Sequence, residues 1–226
     1  MIETHMDREL ESLFSGTYEL GGLCERALVD AVRALSQRDK KLARDVIIGD
    51  DKIDELAREI NITSFQLIAR YQPVAFDLRS LEAVIRMALD LERIADLAAS
   101  LARTALQLEV PLPPIPSLRP MGERAVEMLN LAMSSLAERD AEKAARVFAM
   151  DDAMDDYEDS VVAELMNAAM DTREDGARFA GTNRLITVAR ILERAGDHVT
   201  NIAEHICYMI TGVRVKASAY RRPKPE

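Results

Sequence analysis

Two short runs decide the fold: Leu91-Glu-Arg-Ile-Ala-Asp96 and Leu192-Glu-Arg-Ala-Gly-Asp197. They lie 101 residues apart, and the same shift carries much of the chain onto itself without a gap. Leu35 falls on Leu136, Arg38-Asp39 on Arg139-Asp140, and Ala43 on Ala144. Val46 meets Val147, Asp50 meets Asp151, Asp54 meets Asp155 and Ile85 meets Ile186. The match keeps breaks as well as apolar positions, so shared helix composition does not explain it. A period this long exceeds an ordinary solenoid unit and reads as a duplicated domain.

Around those runs the apolar spacing is helical. Leu81, Val84, Ile85, Ala88, Leu91, Ala95, Ala99, Ala102 and Leu106 form one stripe at three-and-four spacing. Leu42, Val46, Ile53, Leu56, Ile60 and Leu67 form another. The spacing predicts six helices, over 8–37, 40–71, 75–108, 118–138, 141–171 and 175–211. Pro73 ends one of them, because a proline biases the preceding residue away from the helical region. Asp171-Thr-Arg-Glu-Asp-Gly176 is a polar break. Pro111-Leu-Pro-Pro-Ile-Pro116 cannot continue a helix and reads as a stiff connector. The expectation is an all-α protein of two tandem three-helix bundles: residues 1–110, a connector at 111–116, and 117–226 with a frayed tail from Val213 onward.

Composition agrees. Gly (9) and Pro (8) are scarce among 226 residues and Trp is absent, against an all-β fold rich in turns. Lys and Arg total 29 against 39 Asp and Glu, a net charge of −10 that disfavours nucleic acid as a partner. Cys24 and Cys207 make no disulfide framework and suit a reduced compartment. No apolar run is long enough to span a bilayer, and the first residues lack the apolar core of a signal peptide. Met6 is a second candidate start beside Met1.

The charged residues that repeat are mostly acids four apart: Asp50/Asp54, Glu92/Asp96, Asp151/Asp155 and Glu193/Asp197. Such pairs share a helix face, and like charges there cost roughly 0.2–0.5 kcal/mol each. With Leu81 at zero and about 100° per residue, Glu92 falls near 20° and Asp96 near 60°, at the edge of the buried face. Folding back at Pro73 levels Asp54 with Glu92 and Asp50 with Asp96. Two quartets result, and converging carboxylates require a cation. All-oxygen ligands suit hard ions such as Mg²⁺, Ca²⁺, Mn²⁺ or iron. Asn201 and Glu204 extend the second ridge, where the first half has Ser100 and Arg103. The plainer alternative is a set of surface ion pairs made with Arg58, Arg93, Arg190 and Arg194. Enzyme chemistry finds little support: there is no Gly-rich phosphate loop, no nucleophile motif and no Glu-x-x-His pair for a di-iron site, and duplicated acid pairs resemble ligation more than a differentiated acid and base.

These residues also resemble a known family. Val46-Ile-Ile-Gly-Asp50-Asp-Lys-Ile-Asp54, Ala69-Arg-Tyr-Gln-Pro73-Val-Ala-Phe-Asp77-Leu-Arg79, Leu91-Glu-Arg-Ile-Ala-Asp96 and Glu193-Arg-Ala-Gly-Asp197-His-Val-Thr-Asn201-Ile-Ala-Glu204 are similar to the PhoU family of phosphate-uptake regulators. The resemblance implies two three-helix bundles side by side in a cytoplasmic protein, often a homodimer. It also implies metal clusters of iron, zinc, Mg or Mn on the acid motifs. The implied partners are the ATPase subunit of the phosphate ABC transporter and the phosphate-sensing histidine kinase. Contact with the membrane would be only peripheral, through those partners. The implied role is negative regulation of the phosphate response. Ala95 stands where the family commonly has Gly, and Arg103 would bring positive charge to the first cluster. The alternatives are service to a different phosphate carrier, or a carboxylate-rich helical metalloenzyme.

Overall fold

The structure, a computed structural model, describes residues 5–108, 115–171 and 176–220. Six helices account for most of them: α1 (His5–Gln37), α2 (Lys40–Tyr71), α3 (Ala75–Gln107), α4 (Leu118–Glu138), α5 (Ala141–Asp171) and α6 (Gly176–Thr211). A single 3-10 turn, Ala217–Ala219, follows, and no strand occurs among the described residues. Residues 111–114 of the proline connector and 172–175 of the polar break lie outside the described residues.

The repeated Arg-Asp dipeptide makes the same corner twice. Arg38 and Arg139 each take the left-handed conformation, with φ of 55° and 52°. The next residue then turns its carboxylate onto the new helix. Asp39 Oδ1 accepts from the backbone N–H groups of Lys41 and Leu42 at 3.0 and 2.9 Å. Asp140 Oδ1 accepts from that of Lys143 at 2.9 Å. Each cap satisfies amides that the first helical turn leaves orphaned, worth about 1 kcal/mol. The α2–α3 turn differs: Gln72 is left-handed, its N–H caps Ile68 O, and Pro73 prevents continuation.

Within each half the three helices pack together, and the halves meet through α3 on α6 and α1 on α4. One continuous apolar core, from Leu10 to Ala217, runs through both. The α1–α4 contact carries a pseudo-two-fold that only the structure reveals. A Cβ on Gly122 would stand 2.8 Å from Val32 Cγ1, and one on Gly21 would stand 2.5 Å from Met133 Cε. Both pairs map onto each other under the 101-residue shift. The glycines therefore allow close approach of two helix backbones.

The tail departs from expectation. Val213–Tyr220 is not frayed but folded back on α6 and α5, while residues 221–226 of that tail lie outside the described residues. Arg214 pairs with Glu82 at 3.3 Å and lies 4.5 Å over the Tyr208 ring. The Ala217 N–H donates to Glu204 Oε1 at 2.6 Å, and the Tyr220 ring packs 5.4 Å from that of Phe148. Charge pairing and the contact of Tyr220 with the buried Phe148 ring hold a segment that shows no helical period in sequence. Among the described residues no helix is long and apolar enough to cross a membrane.

Candidate functional site

In the first half, α2 and α3 bring Asp50, Asp54, Glu92 and Asp96 near enough for their charges to shift one another. Asp50 is the most enclosed, its side chain 12% exposed. Burial, then the charges of Asp54 and Asp96, push its carboxyl up to about 6, against the lowering pull of Arg103. Asp54 is raised by burial and by Asp96. Glu92 is raised by burial and by Asp96 and Asp54, while Arg93 opposes the shift. Asp50 Oδ1 is buried without a hydrogen-bond partner among the described residues. Positive charge does reach this cluster: Arg93 pairs with Asp96 at 3.0 Å and Arg103 approaches Asp50 at 4.0 Å. Arg58 turns instead to Glu55.

The second half gathers Asp155, Glu193 and Asp197 in the same way, with Asp151 only 3% exposed one turn away on α5. Burial comes first in pushing Glu193 up to about 7, followed by Asp197, Glu158 and Asp155 and by a hydrogen bond with Asp197. Glu158 was not found by the repeat, because its counterpart is the buried Ala57. Its spacing, three residues after Asp155 and seven after Asp151, was the available signal.

Asn201 and Glu204 are placed elsewhere. Asn201 Nδ2 donates to Asp90 Oδ1 at 3.4 Å, and Glu204 receives the tail. Asp90 itself escapes sequence reasoning. On the helical count it falls about 180° from Leu81, opposite the stripe, where a solvated acid is expected. The second bundle covers that side. His198 Nδ1 lies 2.8 Å from Asp90 Oδ1 and His205 Nε2 lies 3.3 Å from Oδ2, tying α3 to α6. Burial pushes Asp90 up, but the bonds from His198, His205 and Asn201 together outweigh it and hold the carboxyl below its ordinary value.

Among the described residues no three His, Cys, Asp or Glu side chains converge closely enough to hold a metal ion as they stand. The donor chemistry nevertheless suits one. Crowded, partly desolvated carboxylates with an orphaned buried oxygen are relieved either by protons or by a cation.

The fold and the two clusters define a class: an internally duplicated helical protein that concentrates acids at equivalent places in its halves. The family described as PhoU domain matches residues 17–105 and 118–206, which the 101-residue shift superposes. The chain belongs to that family. It is 34% identical over 217 residues to the phosphate-specific transport system accessory protein PhoU of Serratia marcescens, covering 95% of this chain and 88% of that protein. It is 35% identical over 228 residues to the PhoU homolog of Rhizobium meliloti, covering 100% of this chain and 94% of that protein. The crystal structure of PhoU from Pseudomonas aeruginosa superposes with a TM-score of 0.87 at 34% identity, over 92% of this chain and all of that one. The regulatory protein PhoU of Streptococcus pneumoniae gives 0.86 at 27%, over 94% and all.

Proposed function

We propose that this chain is a cytoplasmic accessory regulator of phosphate uptake, loaded with metal and acting as an adaptor rather than an enzyme. It would bind the ATPase subunit of a phosphate ABC transporter and a phosphate-sensing histidine kinase, as a homodimer. By preferring their restrained states it would repress uptake and signalling when phosphate is plentiful. The observation that carries the reading is the likeness, along the whole chain, to proteins named for the phosphate-specific transport system. Divalent or trivalent ions (iron, zinc, Mg or Mn) would be held by Asp50, Asp54, Glu92 and Asp96 in the first half. In the second half Asp151, Asp155, Glu193 and Asp197 would hold them, with Glu158 beside them. Bound metal supplies the positive charge that lets these carboxylates stay ionised side by side. Asn201 and Glu204 could join only by leaving Asp90 and Ala217. A cluster that encloses Asp50 but opens to solvent at Asp96, 43% exposed, favours an adaptor over a metalloenzyme with a sealed pocket.

Affinity capture from membranes of the source cells, with and without phosphate, tests the adaptor reading. The expected result is recovery of the transporter ATPase and the sensor kinase with the tagged chain, more strongly with phosphate. Recovery of neither under both conditions contradicts it.

A further inference from the structure

The α2–α3 turn and the α4–α5 corner lie side by side, joined through one aromatic ring. Phe76 has the Arg79 guanidinium 6.0 Å from its centroid and that of Arg139 5.6 Å away. Val74 at the turn is 74% exposed, Tyr18, close enough to feel the Arg139 charge, is 37% exposed, and Leu78, round the far side of α3, is 41% exposed. The turn is strained. Gln72 and Ala75 have φ of 48° and 51°, a conformation that costs a residue with a Cβ roughly 1–2 kcal/mol. Ala75 opens α3 in that strained state, and Val74 is left projecting at the tip. Strain of this kind persists where the surroundings enforce it and is a pointer to function.

Charge adds to the same place. Arg33, Arg58, Arg86, Arg93 and Arg119 each pair with a carboxylate. Among the described residues no carboxylate lies within 4.0 Å of Arg79 or Arg139, although acids exceed bases by ten in the chain. Arg79 uses its Nε to cap the α6 carbonyl of Met209 at 3.3 Å, leaving its terminal N–H groups. The Arg139 guanidinium lies over the Phe76 ring.

We propose that this surface docks the phosphate transporter, and that the transporter supplies an acidic segment carrying apolar side chains. The inference rests on the adaptor reading above. The apolar tips pack against the segment, and the two guanidiniums meet its carboxylates, setting register and encounter rate. A lipid surface fits less well, because the chain's net charge of −10 opposes anionic headgroups. Glu92 lies about 20 Å along α3 from Leu78 at a rise of 1.5 Å per residue. Docking therefore leaves the acid clusters uncovered.

The test measures binding of the full chain to the purified phosphate transporter complex in zwitterionic nanodiscs. Arg139→Glu and Val74→Asp are each expected to weaken binding tenfold or more. Met166→Asp, exposed and remote on α5, should not, and binding should weaken as salt rises. Circular dichroism checks folding, with Arg139→Gln and Val74→Ser as milder replacements. Wild-type affinity in both docking variants overturns the inference while leaving the adaptor reading intact. If the wild type fails to bind the transporter at all, the adaptor reading falls and takes the inference with it. Binding of the wild type to phosphatidylcholine–phosphatidylglycerol vesicles that Val74→Asp abolishes would reassign the surface to lipid, and also overturn it.

Discussion

Glu193→Gln is expected to make the metal-free protein more stable. The wild-type carboxyl is pushed from an ordinary 4.5 up to about 7 by burial and by Asp197, Glu158 and Asp155. A group whose pKa is raised in the folded state contributes full stability below its unfolded value and loses it as pH rises through the folded one. At pH 8 the wild type therefore carries an ionised, crowded Glu193, while the isosteric amide carries no charge. After allowance for solvent screening the gain at pH 8 is about 1–3 kcal/mol. It shrinks as pH falls through 7, is about a quarter of its full size at pH 5, and is gone only below the ordinary 4.5. Added Mn²⁺ should reverse the order. An ion present at 100 times its Kd stabilises its site by about 2.7 kcal/mol, and the variant has lost a charged ligand. Thermal scans at pH 5 and 8, with chelator or with Mn²⁺, measure all four states. A variant less stable than wild type in chelator at pH 8 would contradict the crowding argument.

Phe148→Ala should give the largest loss of stability. Phe148 is fully buried on α5, and its ring is the anchor on which Tyr220 holds the returning tail. Deleting a buried Phe typically costs 3–5 kcal/mol, from lost transfer energy and the cavity left behind. In a chain of this length that lowers the midpoint by roughly 10 °C. Because one core passes through both bundles, the whole chain should lose stability in a single transition. Tyr220→Ala removes a half-exposed ring and should cost far less. A second, unshifted transition in Phe148→Ala would show that the halves unfold separately and that the shared core does not couple them.

The helices were legible because each buries a stripe at helical spacing, and the duplication was legible because it ran without a gap. Even the corners were written in the sequence as Arg38-Asp39 and Arg139-Asp140. What escaped was what depends on how the halves meet. Gly21 and Gly122 look like weak points in two helices until α1 and α4 close on them. Asp90 stands on the polar side of α3, and only α6 turns that side into an interior where His198 and His205 wait. Glu158 has no repeat partner, so a search by duplication passes over it. Glu204 was placed on the acid ridge by spacing, but a tail with no period of its own claims it. Periodicity reports what one helix buries against its neighbours in general. It does not report which of several neighbours takes each face.

Each half is proposed to hold its own cation through its own acids. Metal content by plasma mass spectrometry, after loading with Mn²⁺, Zn²⁺ or iron and desalting, tests it most directly. Asp54→Asn/Asp96→Asn should lose the metal of the first half and keep that of the second. Asp155→Asn/Asp197→Asn should do the converse, and all four changes together should leave none. Equal metal in the wild type and the fourfold variant, or none in the wild type with any of these ions, would leave the acid clusters without a cation-binding role.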